Sequence, residues 1–468
     1  LNYVKDINNH HFDILMATES QNYVRKVNTM VGEGFFNTIQ TRPQDASVKH
    51  AVYNENEYSF MSYIGRVNYD YNDRYLLSMS LRADGSSRFG EGNRWGYFPA
   101  ASVGYILSEE NYFEGLSNIF NFLKLRASYG IVGNAEIGDY AYYSSFANQP
   151  YNGNAGIILN NLGDEDLGWE STHQLDIGLT LEALEGNIRA EFDYYHKKTS
   201  DLLLPYPVSQ MTGVAVITRN VGELSNEGID VMLGTTNIQT GDFSWETDFT
   251  FNYNVNEVEK LTDELGEGLQ TSQGLGSVEL YEGHPVGAKA MVEWGGVDAA
   301  TGEDIYIDSD GNQLLYSEVL EQYSSFQNFY DEHKQPMGNP WPKYTGGINN
   351  RLNYKDWYLN VQFTYATGMD MILGEHKRSL AAFGNVKVNP STDILDRWRN
   401  PGDEATVSEL TDQNTIWTST SEHLESIDYL RLRNLTLGYR FDMKENALFS
   451  GINCYVKAIN ILTFTNAP

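Results

Sequence analysis

Apolar and polar residues alternate along much of this chain with a period of two. Between Phe243 and Val255, the residues Phe243, Trp245, Thr247, Phe249, Phe251, Tyr253 and Val255 fall on one side of an extended chain. Ser244, Glu246, Asp248, Thr250, Asn252 and Asn254 fall on the other. Successive side chains of a strand point to opposite faces, whereas a helix would scatter both sets around its circumference. The alternation recurs in Leu175, Ile177, Leu179 and Leu181 against Asp176, Gly178, Thr180 and Glu182. It returns in Ile188, Ala190, Phe192 and Tyr194 against Arg189, Glu191, Asp193 and Tyr195, and again in Trp357, Leu359, Val361, Phe363 and Tyr365. About thirteen such segments can be marked by this pattern. They begin near His11, Glu57, Arg74, Gly96, Asn121, Glu170, Asn187, Leu224, Asp242, Lys343, Asp356, Ile427 and Ser450. Many run to about ten residues or longer, where a soluble sandwich strand averages about five or six.

The connections fall into two kinds. Tight turns are expected at "YNDR" (71–74), "EGN" (185–187), "TGD" (240–242) and "YKD" (354–356). Long loops are expected at about 23–56, 85–95, 133–169, 203–223, 262–342 and 370–426. The two kinds alternate, with 106–120 a short-side connection of middling length. An up-and-down barrel does this when one rim bears turns and the other bears loops, whereas a Greek-key sandwich mixes lengths at both ends. The stretch "DGSSRFGEGNRWG" (84–96) offers no apolar pair to bury and is read as a hairpin of the loop-bearing rim.

Composition narrows the class. The chain has 32 Tyr, 21 Phe and 8 Trp, yet its mean hydropathy is −0.45, which suits strands with one apolar and one polar face. A net charge of −31 argues against nucleic acid and against a surface drawn to anionic headgroups. One cysteine, Cys454, excludes a disulfide framework and a cysteine-based zinc site within the chain, and reads as a small hydrophobe. No apolar run is long enough for a transmembrane helix, which leaves a strand-built membrane protein open.

Candidate chemistry is sparse. His10 and His11 would point to opposite faces of a strand and read as rim decoration. "DSDGN" (308–312) echoes the start of a calcium loop but lacks the Glu at its twelfth position, so a turn between "DIYI" and "QLLY" is the better reading. No catalytic or cofactor motif stands in a credible context, and neither cofactor nor catalytic residue is expected. Four aromatics in long loops, Tyr151, Trp294, Trp341 and Trp417, could stack on sugars or peptide side chains, although anchoring the loops to one another is the plainer role.

The stretch "RADGSSRFGEGNRWGYFPAASVGYILSEENYF" resembles a signature of the SusC/RagA family of TonB-dependent outer-membrane transporters of Bacteroidetes. "LKLRASYGIVGN" (123–134), "DLGWESTHQLDIGL" (166–179), "DYYHKKTSDLLL" (193–204) and "NVGELSNEGIDV" (220–231) follow in that family's order. So do "EGHPVGA" (282–288), "NPWPKYTGGINN" (339–350), "RWRNPGDE" (397–404), "YLRLRNLTLGY" (429–439) and "INILTFT" (459–465). The resemblance implies an all-β fold, a large antiparallel up-and-down transmembrane β-barrel of about 22 strands with a plugged lumen, short periplasmic turns and long extracellular loops. It further implies a SusD-like surface lipoprotein as lid, energy from the TonB–ExbB–ExbD complex through the plug, and oligosaccharide or peptide as cargo.

Set against that family, residues 1–468 are expected to be the C-terminal portion of the barrel, roughly strands nine to twenty-one, without the plug domain, the first strands or the last one. "LNYVKD" then reads as the tail of another strand entering a turn at Asn8-Asn9. Ile177, Leu179, Phe192, Trp245, Phe249, Phe251, Leu359 and Phe363 are expected to face lipid. Asp176, Glu191, Glu246, Asp248 and Gln362 are expected to face the lumen. The expected function is TonB-dependent import at the outer membrane. A passive channel or surface-binding barrel is the alternative, and a soluble carbohydrate-binding or hydrolytic all-β protein a more distant one.

Overall fold

The computed structural model describes residues 1–39, 41–152, 154–262, 269–271, 278–373, 392–409, 420–442 and 451–466. Fourteen antiparallel strands taken in chain order make up one large sheet. They are β1 (Asn2–Ile7), β2 (His10–Glu33), β3 (Val48–Tyr71), β4 (Tyr75–Ser86), β5 (Trp95–Ile106), β6 (Phe120–Asn134) and β7 (Glu170–Ala183). The rest are β8 (Ile188–Ser200), β9 (Glu223–Gln239), β10 (Phe243–Lys260), β11 (Tyr344–Tyr354), β12 (Trp357–Thr367), β13 (Tyr429–Asp442) and β14 (Gly451–Thr465). Thirteen of them match the segments marked from the alternation, and β1 is the strand tail expected at "LNYVKD". No described helix is long and apolar enough to cross a membrane, which says nothing of a β-barrel.

One expected boundary is wrong. The loop placed at 23–56 is in fact mostly strand, because β2 and β3 stay paired rung by rung from His10↔Tyr71 to Glu33↔Val48. Polar residues on both sides of this ribbon, such as Asn22, Asn28, Asn54 and Asn56, hide the alternation without preventing the ladder. Pairing of β3 with β4 covers only its second half, Phe60↔Ser86 to Tyr71↔Tyr75.

The short turns have the chemistry that tight hairpins need. Asn72 and Asp73 both take positive φ (62° and 55°) between β3 and β4, the conformation of the turn whose twist matches that of its strands. Leu184, Glu185 and Gly186 also take positive φ between β7 and β8.

The chain divides into two compact units. The first comprises residues 1–110, 124–177 and 197–223, and the second 111–123, 178–196 and 224–468. Within the first, adjacent turns are tied together: Asn72 N–H donates to Asn9 C=O (2.8 Å) and Ile106 N–H to Arg74 C=O (2.9 Å). Within the second, Leu184 N–H donates to Ile119 C=O, Lys355 N–H to Asp242 C=O and Arg440 N–H to Asp356 C=O. In each unit the short connections therefore lie side by side on one rim, as the alternation of loop lengths implied.

Each unit shows two faces. In the first, register aligns Tyr71 with Tyr75 and Val67 with Met79 on one face, and Tyr63, Val67, Met79, Leu81, Tyr97, Val103 and Tyr129 on it are exposed. In the second, Trp245↔Leu352, Leu352↔Leu359 and Leu359↔Leu437 continue one apolar row across four strands. The opposite face there is polar and internally bonded. Arg351 pairs with Asp248 and, at 3.7 Å, with Glu246. Tyr195 Oη donates to Asn254 Oδ1 (2.9 Å) and Asn252 Nδ2 to Asp230 Oδ1 (2.6 Å).

Candidate functional site

Three arrangements could serve function: a loop core, a small folded insertion and a cleft on the polar face.

The loop core belongs to the first unit and explains the hairpin at 84–96. Phe89, at the tip, is fully buried with Ala135, Tyr142 and Leu167, so a stretch with no apolar pair of its own packs its one ring against other loops. Trp169 is its hub. Its ring lies 5.2 Å from both Phe89 and Phe98 and 6.4 Å from Phe60, while its Nε1 donates to Arg94 C=O (3.1 Å). Arg88 stacks 4.2 Å over Tyr58 and donates to Asp139 Oδ1 (2.9 Å) and Ala135 C=O. Asn220 Nδ2 reaches Gly168 C=O, and Gly168 N–H reaches Asn220 Oδ1. A Cβ at Gly133 would sit 2.0 Å from the Phe98 ring, and one at Gly96 2.4 Å from it. Aromatic burial with glycine-permitted close approach thus holds three long loops on one scaffold.

The insertion belongs to the second unit and has its own core. Strands Glu293–Val297, Asp304–Ile307 and Gln313–Leu315 form a small sheet. Against it pack α1 (Tyr316–Tyr323) and α2 (Phe326–His333), with Val292, Tyr306, Val319, Phe326 and Phe329 buried between. "DSDGN" is the turn of a hairpin joining "DIYI" to "QLL", as expected. Asp308 accepts from Asn312 Nδ2 (2.9 Å) and from the backbone N–H of Asp310 and Asn312. Those bonds, the Asn312 amide foremost, hold its carboxyl below the ordinary range. Buried His333 joins the turn to the helices, its Nδ1 2.9 Å from Ser309 Oγ and its Nε2 2.7 Å from Tyr323 Oη.

The cleft lies on the polar face of the first unit, a cavity of about 350 Å³. Asp70 and His11 stand on one side, Lys124, Arg126 and Asp176 on the other, with Ser78, Ser102 and Gly104 between. Register sets Asp70, Leu76, Gly104 and Arg126 in a single cross-strand row. Asn68 bridges the wall to the floor, accepting from Ser78 Oγ (2.7 Å) and donating to Asp13 Oδ2 (3.4 Å).

The four loop aromatics do not converge. Tyr151, in the first unit, is 83% exposed. In the second unit Trp294 packs against the core of the insertion and donates from Nε1 to Asp304 Oδ1 (3.0 Å). Trp341 is exposed and donates to Val286 C=O (2.8 Å). Trp417 lies outside the described residues. His10 and His11 bond in opposite directions, to Tyr69 Oη and Asp6 Oδ1. Cys454, read as a small buried hydrophobe, is exposed beside Tyr439 in the β13–β14 ladder. Of the residues expected to face lipid, Ile177, Phe192 and Trp245 are exposed. Leu179, Phe249, Phe251, Leu359 and Phe363 are partly covered by strand neighbours.

Trp169, Phe89 and the cleft residues other than His11 and Asp176 were not singled out from sequence. For the cleft a signal existed: Lys124, Arg126 and Ser128 share the polar side of the β6 alternation.

Residues 6–460 match the family described as TonB dependent receptor-like, beta-barrel. The chain belongs to this TonB-dependent receptor family. It is 32% identical over 455 residues to TonB-dependent receptor P39 of Formosa agariphila, covering 87% of this chain and 43% of that one. It is 29% identical over 460 residues to the TonB-dependent receptor SusC of Bacteroides thetaiotaomicron, covering 94% and 43%. The solved RagAB peptide transporter superposes with a TM-score of 0.87 at 27% identity, over 99% of this chain and 51% of that one. This receptor-family chain is thus of the SusC/RagA type and an outer-membrane protein, and it spans about half or less of the length of those relatives.

Proposed function

We propose that the chain is the C-terminal portion of the barrel of an active importer. Its apolar face meets lipid and its polar face lines the lumen, and it works with a SusD-like surface lipoprotein and the TonB–ExbB–ExbD complex. Oligosaccharide or peptide is the cargo, and the chain carries no catalytic role. What carries this reading is the division of faces. On β3, Tyr63 and Tyr71 stand eight residues apart on the apolar face, about 26 Å along the strand. At the usual tilt that is about 20 Å of height, close to the apolar band between the aromatic girdles of an outer-membrane barrel. Tyr71, Tyr75 and Tyr105 form the girdle at the turn rim, with centroids 6.2 and 5.0 Å apart, and Tyr63 stacks on Trp95 at the loop end.

On the apolar face of the second unit a group of polar side chains bond to one another, as hydrocarbon requires. Trp245 Nε1 and Thr247 Oγ1 both donate to Asn350 Oδ1, and Asn237 Nδ2 donates to Thr247 Oγ1.

The test is uptake of candidate oligosaccharides and peptides by cells carrying the full-length transporter, with and without a functional TonB system. Uptake that stops when TonB is inactivated supports the importer. Uptake that continues unchanged makes the barrel a passive channel.

A further inference from the structure

On the apolar face of the second unit, Thr235 and Asn237 of β9, Thr247 of β10 and Asn350 of β11 form one polar patch. We propose that this patch is a contact between two copies of the chain, set side by side in the membrane about a two-fold axis along its normal. The proposal rests on the reading of the apolar face as the one that meets lipid.

Three observations support it. The first is depth. Thr247 stands five residues past Asp242 and Asn350 five before Lys355, and these two turn residues are bonded to each other. Five residues are about 16 Å along the strand, or about 12–13 Å of height at a tilt near 40°, half of an apolar band about 25 Å tall. The patch thus lies near the midplane, where no headgroup or ester of a lipid reaches it.

The second is an unspent donor. Asn350 Oδ1 accepts from Trp245 Nε1 (2.9 Å) and Thr247 Oγ1 (2.8 Å), which fills its two lone pairs. Thr247 Oγ1 in turn accepts from Asn237 Nδ2 (2.7 Å), and Asn237 Oδ1 from Thr235 Oγ1 (3.1 Å). This chain of bonds leaves the Asn350 amide hydrogens with no acceptor among the described residues. Hydrocarbon supplies none, so the acceptor must come from protein.

The third is symmetry. A two-fold axis along the membrane normal keeps every residue at its own depth. Passing beside β10, it sets β11 of one copy against β9 of the other. Thr235 stands five residues before the turn at Thr240, level with Asn350. Thr235 Oγ1 and Asn237 Oδ1 each keep a lone pair for the incoming amide. Each copy then gives one donor and receives one, so the contact closes on itself.

The experiment uses the full-length transporter. Its mass is measured molecule by molecule in lipid nanodiscs prepared at a low protein-to-lipid ratio, for wild type and for the combined Asn237→Leu, Thr247→Val and Asn350→Leu variant. The expected result is a dimer whose dissociation constant rises at least about tenfold in the variant. Cysteine pairs read the same contact without touching the patch. In a Cys454→Ser parent, Ile348→Cys lies beside the patch, while Met79→Cys is exposed on the apolar face of the first unit, five residues past Arg74. A membrane-permeant bismaleimide should join Ile348→Cys into dimers and leave Met79→Cys monomeric, which decides the matter even if the combined variant does not fold. Labelling of Met79→Cys in proteoliposomes by a membrane-impermeant maleimide would overturn the lipid-facing reading and the proposal with it. With Met79→Cys unlabelled, a monomeric wild type, a dimer unchanged in the folded variant, or no more cross-linking at Ile348→Cys than at Met79→Cys would overturn the proposal alone.

Discussion

Arginine substitution on the two sides of β7 gives the sharpest test of the face assignment. Leu179 stands five residues from Leu184, where the short turn begins, about 16 Å along the strand. At a tilt near 40° this is about 12–13 Å of height, half of an apolar band about 25 Å tall. Leu179 therefore sits near the bilayer midplane, where Arg on the lipid face costs about 2–4 kcal/mol. That is a factor of roughly 30 to 900 in the folding equilibrium constant. Thr180 is at the same depth but on the other face, so Thr180→Arg controls for local strand effects. Both variants should be folded as full-length protein into lipid vesicles and followed by denaturant titration and electrophoretic heat-modifiability. Leu179→Arg is expected to lower the folding equilibrium constant by that factor while Thr180→Arg stays within about 1 kcal/mol of wild type. Equal effects at the two positions would refute the assignment, because depth and strand are shared and only the face differs.

Three further outcomes follow from the loops. Phe89→Ala should cost about 3–5 kcal/mol of loop-core stability, since the ring is fully buried against Trp169; proteolysis of residues 135–169 should accelerate while the barrel stays heat-modifiable. Gly133→Ala should disturb the same core more than its single methyl suggests, because that methyl would overlap the Phe98 ring; restoration by a second change, Phe98→Leu, checks the cause. The turn at Asp308 should hold above the ordinary carboxylate value of 3.8 and loosen as pH falls through its depressed folded value, because the lowered pKa stabilises the ionised, hydrogen-bonded form; amide exchange of residues 308–312 reads this directly.

How much was legible in the sequence depended on where one face was apolar. Strands such as β10 and β12 declare themselves, because a one-residue slip would turn every aromatic toward water, so burial and register enforce the same alternation. The outer half of the β2–β3 ribbon carries no such pattern. Its ladder is held by backbone pairing and by local bonds such as Lys26 Nζ–Glu55 Oε1 (3.1 Å), which hydropathy does not record. The hairpin at 84–96 failed for a different reason. Phe89 looked isolated because its partners, Tyr142, Leu167 and Trp169, lie more than fifty residues away in the chain, and no local window contains them.

The family-like motifs mark where distant segments meet. Arg88 and Phe89 of the hairpin, Gly168 and Trp169 of "DLGWE" and Asn220 of "NVGELSNEGIDV" bond or pack around the loop core. These stretches are therefore explained by assembly of the loop rim, with no contact to cargo required. The loop aromatics show the same division of labour. Trp294 is committed to the core of the insertion through Asp304, whereas Tyr151 has most of its ring in solvent. A residue already spent on holding a loop has little surface left to grip a ligand. Recognition in this barrel is thus better sought among side chains that the fold leaves exposed, as at Tyr151, than among those that anchor its loops, as Trp294 does.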